Sequence, residues 1–63
     1  MCGFITSSGS TYYVDTQNQL IQGGKLKSPT YYTHCENTLI GCNPLFYLGS
    51  GDVLRTSKIV RYI

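Results

Sequence analysis

The sequence predicts an all-β fold, and three observations carry that prediction. β-Branched and aromatic residues recur in short runs, a composition that suits a pleated, half-buried surface. Gly, Asn, Ser and Pro punctuate those runs, as turn formers do between strands. No stretch repeats its apolar residues with the period of an amphipathic helix. The expected architecture is a small antiparallel meander or partly open barrel of about five to seven short strands, in one domain over 1–63.

Each element follows from local chemistry. Residues 2–6 form the first apolar run, and Ser7-Ser8-Gly9-Ser10 interrupts it with a glycine able to adopt positive φ, so a hairpin should lead into residues 11–15. Thr16-Gln17-Asn18 is a polar turn into residues 19–22. There Leu20 and Ile21 project to opposite faces, which suggests a strand buried on both sides. Residues 23–29 begin with two glycines and end at Pro29, which restricts Ser28; they form a loop. Residues 30–35 are strand-like again, and Glu36-Asn37 turns them into a short run at 38–40. Residues 44–48 make an apolar strand, and Gly49-Ser50-Gly51-Asp52 returns the chain into a last strand or pair of strands over 53–63,. Within that closing segment, strand alternation puts Arg55, Ser57, Ile59 and Arg61 on one face and Thr56, Lys58, Val60 and Tyr62 on the other. Neither face is cleanly apolar, which suits a subunit interface or a ligand wall.

At 63 residues the chain has too much surface for its volume, and domains of this size usually recruit a disulfide, a metal or a partner subunit. Its three cysteines, Cys2, Cys35 and Cys42, are odd in number and lack the spacing of a secreted disulfide framework. A reducing compartment and a homo-oligomer are therefore expected. Nothing approaches the roughly 20 apolar residues of a membrane-spanning helix, and Met-Cys-Gly-Phe-Ile lacks the basic start of a signal peptide. A soluble intracellular protein without membrane contact is the expectation. With a net charge of +2 and 13% charged residues, the chain lacks the basic stripe that long nucleic acid requires. A small anion is a better match. Six tyrosines and 41% hydrophobic residues also exclude the composition of a disordered chain.

Catalytic and metal-binding constellations are weak. His34-Cys35 places an imidazole beside a thiol, but adjacent strand residues project to opposite faces, which favours a surface histidine and a packed cysteine over a nucleophile and its base. Cys2, Cys35, Cys42 and His34 could supply four zinc ligands in number, yet no Cys-x-x-Cys occurs,. The three carboxylates, Asp15, Glu36 and Asp52, lie at turns, where local hydrogen bonding accounts for them. Gly23-Gly24-Lys25-Leu26 and Gly49-Ser50-Gly51 each fall short of the glycine-rich phosphate loops. No catalytic residue, metal or cofactor is expected, and the chain is read as a binder and not an enzyme.

Two segments are harder to dismiss. Ser8, Gly9 and Ser10 sit in a turn whose backbone N–H groups can be aimed at an anion while its hydroxyls add donors, although small residues are ordinary at any hairpin tip. Arg55, Thr56, Ser57 and Lys58 combine cations with hydroxyls, an arrangement equally suited to phosphate and to a soluble edge strand. The doublets Tyr12-Tyr13 and Tyr31-Tyr32 each give one ring per face. One ring of a pair can enter the core while the other is offered to solvent, a partner or a base.

Ser8, Gly9, Ser10, Tyr12 and Asp15 near the start, with Thr56, Ser57, Ile59 and Val60 at the end, resemble a pattern of very short viral and phage β-proteins: Ser-Gly-Ser-x-Tyr-x-x-Asp, then a closing Thr-Ser-x-Ile/Val-Val strand. Some small phage proteins of this kind are counter-defence factors, among them oligomeric sponges for the cyclic nucleotides of CBASS or Thoeris immunity. The resemblance implies a homo-oligomer in the host cytoplasm that sequesters a cyclic nucleotide, such as the cyclic dinucleotide cGAMP, without cleaving it. Ser8, Gly9, Ser10, Arg55, Thr56, Ser57 and Lys58 would then hold phosphate or ribose, and Tyr12 or Tyr13 would stack on a base. The alternatives are a small phage inhibitor that docks on a host nuclease, polymerase or CRISPR component, and a small virion or architectural protein.

Overall fold

The computed structural model describes residues 2–63. Seven strands form one antiparallel sheet: β1 (Gly3–Thr6), β2 (Thr11–Asp15), β3 (Leu20–Gly23), β4 (Thr30–Glu36), β5 (Leu45–Leu48), β6 (Val53–Arg55) and β7 (Ile59–Tyr62). Their order across the sheet is β6-β5-β4-β3-β2-β1-β7. The all-β expectation is met, with an open sheet and no helix among the described residues.

The first hairpin forms where Gly9 permits it. Gly9 has φ of +89° and its N–H bonds to the Thr6 carbonyl, so β1 folds back with Phe4 opposite Tyr12 and Ile5 opposite Thr11. A second turn, residues 16–19, is organised by Asp15. Its Oδ1 accepts the backbone N–H groups of Gln17 and Asn18, and its Oδ2 accepts the Asn18 side-chain amide. This is the turn chemistry aspartate favours. The Asn18 side chain, then the Asn18 backbone N–H, hold the Asp15 carboxyl below its ordinary value of 3.8. The stabilisation is therefore present in full above the unfolded-state pKa and is lost as pH falls through the lower folded value. Denaturant midpoints of wild type and Asp15→Asn should differ most at pH 7 and converge toward pH 2; a gap independent of pH would contradict this account.

A sheet with one buried face and one wet face explains the alternation along β2, where Tyr12 and Val14 are buried while Tyr13 and Asp15 are exposed. Tyr31 and Tyr32 divide in the same way, at 50% and 4% exposure. The core consists of Phe4, Tyr12, Val14, Ile21, Tyr32, Phe46, Leu54 and Ile59, with Leu26, Cys35 and Leu48 packed against it. Phe4 on β1 and Phe46 on β5 lie four strands apart in sheet order, about 19 Å at the usual 4.8 Å spacing of a flat sheet, yet their ring centroids are 6.1 Å apart. The sheet must curl over itself. The bend falls on β4, whose first residues pair with β3 and whose later residues pair with β5, with a register irregularity between Tyr32 and His34. Residues 41–43 span the gap between the edge strands: Gly41 N–H bonds to Ile59 O, Ile59 N–H to Cys42 O, and Asn43 Nδ2 to Thr56 O.

Three expectations are corrected. β3 is buried on one side only: Ile21 is fully buried, Leu20 half-buried and Gln22 exposed. Gln19 belongs to the preceding turn, with φ of +55°. Residues 38–40 are not a strand, because Asn37 at φ +58° and Gly41 at φ +92° bend the chain out of extended geometry. The closing segment is two strands on opposite edges of the sheet, separated by residues 56–58. The expected alternation from Arg55 to Tyr62 therefore fails. Thr56 and Ile59 are both buried, and Val60 is passed over in the register that pairs Thr6 with Ile59 and Ile5 with Arg61.

Candidate functional site

The two ends of the chain meet. β7 pairs with β1, and Ser7 N–H donates to the Lys58 carbonyl at 2.8 Å, so the break between β6 and β7 lies against the first hairpin. Between them is a cleft of about 130 Å³ lined by Thr6, Ser8, Ser10, Tyr12, Lys25, Thr56 and Ser57. Five of the residues singled out in the sequence, Ser8, Ser10, Tyr12, Thr56 and Ser57, line it. Gly9, Tyr13, Arg55 and Lys58 do not. Gly9 shapes the turn instead, Arg55 is exposed on β6 opposite Leu45, and Lys58 reaches the hairpin through its backbone.

Lys25 was hidden in the sequence because it lies in a loop distant from either end. Register places it: Tyr12 is opposite Gly23 in the β2–β3 ladder, and Gly24 N–H bonds to Thr11 O. The turn at residues 24–25 then lies over the Tyr12 hydroxyl, which accepts the Lys25 N–H at 3.5 Å. Thr6 was also missed. At 2% exposure it forms the floor of the cleft at the end of β1, where sequence alternation alone does not distinguish a polar floor from a polar surface.

The Tyr12 ring has no free face for a base. It is 2% exposed and stacks on Phe4 with centroids 5.3 Å apart, leaving its hydroxyl as the part that faces the cleft. Tyr13 projects from the other side of β2. The aromatic contribution expected of the doublet is thus split between two faces of the sheet.

Counting protons defines what the cleft can bind. The Thr6 hydroxyl donates to Ser10 O at 3.4 Å, which leaves its oxygen to accept from the Ser8 hydroxyl at 3.0 Å. At the longer distance of 3.5 Å Ser8 also approaches Ser10 Oγ as the donor, so Ser10 accepts there and its own proton is uncommitted. The Thr56 hydroxyl donates to Ser57 O at 2.8 Å. Tyr12 accepts from Lys25 but its own proton has no acceptor, and the Ser57 hydroxyl likewise has none. Lys25 forms no ion pair, since the one pair among the described residues is His34–Glu36. Free donors from Ser10, Tyr12, Ser57 and Lys25 therefore converge where no carboxylate lines the wall. Such a site attracts an oxyanion.

The other candidate chemistry is dispersed. His34 lies on the outer face, stacked on Tyr47 with centroids 5.6 Å apart and 3.4 Å from Glu36 Oε2. Cys35 packs toward the core, and burial raises its thiol pKa. Adjacent in sequence, the two are directed apart, and a raised pKa leaves less thiolate. Tyr47 donates to Glu36 Oε1 at 3.0 Å, and this hydrogen bond, followed by the negative charge of Glu36, raises the phenol pKa. Among the described residues no group of three or more His, Cys, Asp or Glu converges as metal ligands, and the three cysteines are free. No helix among the described residues is long and apolar enough to cross a membrane. Compared with known proteins, the chain matches no family model, no curated protein and no solved structure.

Proposed function

We propose that the chain captures a small phosphorylated nucleotide signal, a cyclic nucleotide in the leading case, and holds it without cleaving it. The observation that carries this reading is the convergence of four uncommitted donors, from Ser10, Tyr12, Ser57 and Lys25, in one cleft without a carboxylate. Its volume of about 130 Å³ is below the roughly 300–1,000 Å³ of pockets that enclose a whole small molecule. One phosphoryl group enters, and the remainder of the ligand extends over the rim. Capture requires donors and a cation; it needs neither a nucleophile nor a general base.

A second copy supplies the missing wall in this reading. Leu39, Ile40, Val60, Tyr62 and Ile63 are between 42% and 68% exposed, and Tyr62 Oη donates to Thr38 O, joining β7 to the segment that carries Leu39 and Ile40. For a chain with so small a core, covering that apolar strip in a homo-oligomer adds the burial that one subunit lacks. If the chain is instead a monomer, the same strip favours the second reading, an inhibitor docked on a host protein. Solution mass separates the two.

Calorimetry against cyclic di- and trinucleotides, with the bound ligand recovered and weighed, tests the proposal. Binding with intact ligand is expected. Lys25→Ala should weaken it about tenfold or more, the value of a charge-assisted hydrogen bond, while Arg55→Ala with Lys58→Ala should have the smaller effect. An affinity unchanged in both Lys25→Ala and Ser57→Ala, or recovery of a hydrolysed product, would overturn it.

A further inference from the structure

A second recess, of about 160 Å³, lies on the outer face of β2 and β3, across the sheet from the cleft, and is lined by Tyr13, Val14, Asp15, Leu20, Gln22 and Pro29. Register builds it as a block of four. Tyr13 is directly opposite Gln22, and Asp15 directly opposite Leu20, so an aromatic ring and an amide stand beside a carboxylate and an apolar side chain. Pro29 from the loop before β4 adds a further wall. Tyr13 is 51% exposed, although a strand of this small domain could have carried a polar residue there.

Asp15 and Gln22 bring acceptor oxygens to this recess,. Asp15 Oδ1 takes two backbone N–H groups and Oδ2 takes one side-chain amide, which fills Oδ1 and leaves one lone pair, on Oδ2. Those same hydrogen bonds, the Asn18 side chain's first, favour the charged form of the carboxyl and hold its pKa below the ordinary value. No cation among the described residues lies within ion-pair distance of it, the one pair among them being His34–Glu36. The recess thus offers an uncompensated negative charge, an open ring face and an amide oxygen. A guanidinium satisfies all three at once: it is flat enough to stack on tyrosine, always charged, and has several donors in one plane. An ammonium supplies the charge but not the plane. A neutral nucleobase supplies the plane but leaves the carboxylate uncompensated.

We infer that the Tyr13–Asp15–Gln22 recess receives an arginine side chain presented by an extended segment of a partner protein. Its position on the opposite face of β2 makes it independent of the anion cleft.

Titration of the full chain, labelled with ¹⁵N, with a blocked Gly-Arg-Gly peptide tests this directly. Shifts should concentrate at Tyr13, Asp15, Leu20 and Gln22 and spare Ser10, Lys25 and Ser57. The matching lysine peptide should bind about threefold more weakly. Asp15→Asn keeps an oxygen to accept the turn N–H groups but removes the charge, and should weaken the arginine peptide about fivefold. Tyr13→Leu keeps apolar cover without the ring and should weaken it about threefold. The inference is overturned by lysine peptide or adenosine binding as well as the arginine peptide, by affinity unchanged in both variants, or by the same shifts arising on raising protein concentration without peptide, which would assign the recess to a second copy. Loss of nucleotide binding in Lys25→Ala leaves this titration unaltered, so the two sites fail separately.

Discussion

Phe46→Ala is expected to abolish most of the stability of this chain. The Phe46 ring lies where the curled sheet closes on itself, stacked on Phe4 with centroids 6.1 Å apart and set edge-on to Tyr32 at 5.2 Å. It is fully buried. Truncating a buried phenylalanine to alanine costs about 3–5 kcal/mol through lost transfer energy and the cavity left behind. Stability of roughly 0.05–0.15 kcal/mol per residue gives a chain of this length about 3–9 kcal/mol in total. A loss of that size leaves a large unfolded fraction, or a state that folds only when associated. Backbone circular dichroism followed through urea should show the transition shifted to the lowest denaturant concentrations or absent. Tyr31→Ala is the comparison, because Tyr31 is half-exposed on the other face; its expected cost is about 1 kcal/mol or less. If Phe46→Ala unfolded at a wild-type midpoint, the two halves of the sheet would not depend on that contact.

Gly24→Ala carries the second-largest expected effect, and it links the fold to the cleft. Gly24 has φ of +53°, and a Cβ placed there would lie 2.2 Å from Tyr12 Cζ and 2.5 Å from its hydroxyl oxygen. The left-handed backbone costs a non-glycine residue about 1–2 kcal/mol. Overpacking adds about 1–3 kcal/mol, because the Tyr12 ring is confined by Phe4 and cannot easily yield. Gly9→Ala isolates the first contribution: its φ is +89°, yet nothing lies within 4 Å of the added Cβ. The expected result is a substantially larger drop in denaturation midpoint for Gly24→Ala than for Gly9→Ala. It should also lose nucleotide affinity, since Tyr12 and Lys25 can no longer keep their relative positions. Equal midpoints for the two variants would show that the Tyr12 ring moves aside without cost.

Most of the β1–β2 hairpin was legible because a single glycine in a serine-rich turn, followed by an alternating strand, is a local signal. So was the division of Tyr12 from Tyr13, since period-two geometry needs no tertiary information. The cleft proposed to hold an anion was legible in part. Hydroxyls at Ser8, Ser10, Thr56 and Ser57 could be singled out by residue type, whereas Lys25 could not, because it reaches Tyr12 only through the β2–β3 register. Arg55 is the converse case: its chemistry is suitable, but the edge strand that carries it leaves it outside the lining of the cleft. The failed alternation over 55–62 has a physical cause as well. Period-two reasoning assumes an uninterrupted strand, and here the chain crosses from one sheet edge to the other at residues 56–58.

What the sequence settled by itself was class and local geometry: an all-β chain, its turns at Gly9, Asp15 and Gly49-Ser50-Gly51-Asp52, and that the two rings of each tyrosine doublet lie on opposite faces. Those depend on backbone preferences and on interactions only a few residues apart. The tertiary structure decided which strands became edges, how far the sheet curled, and which donors faced one another across the cleft. Such choices depend on contacts between residues distant in the chain, Phe4 with Phe46 and Lys25 with Tyr12, and no local preference encodes them.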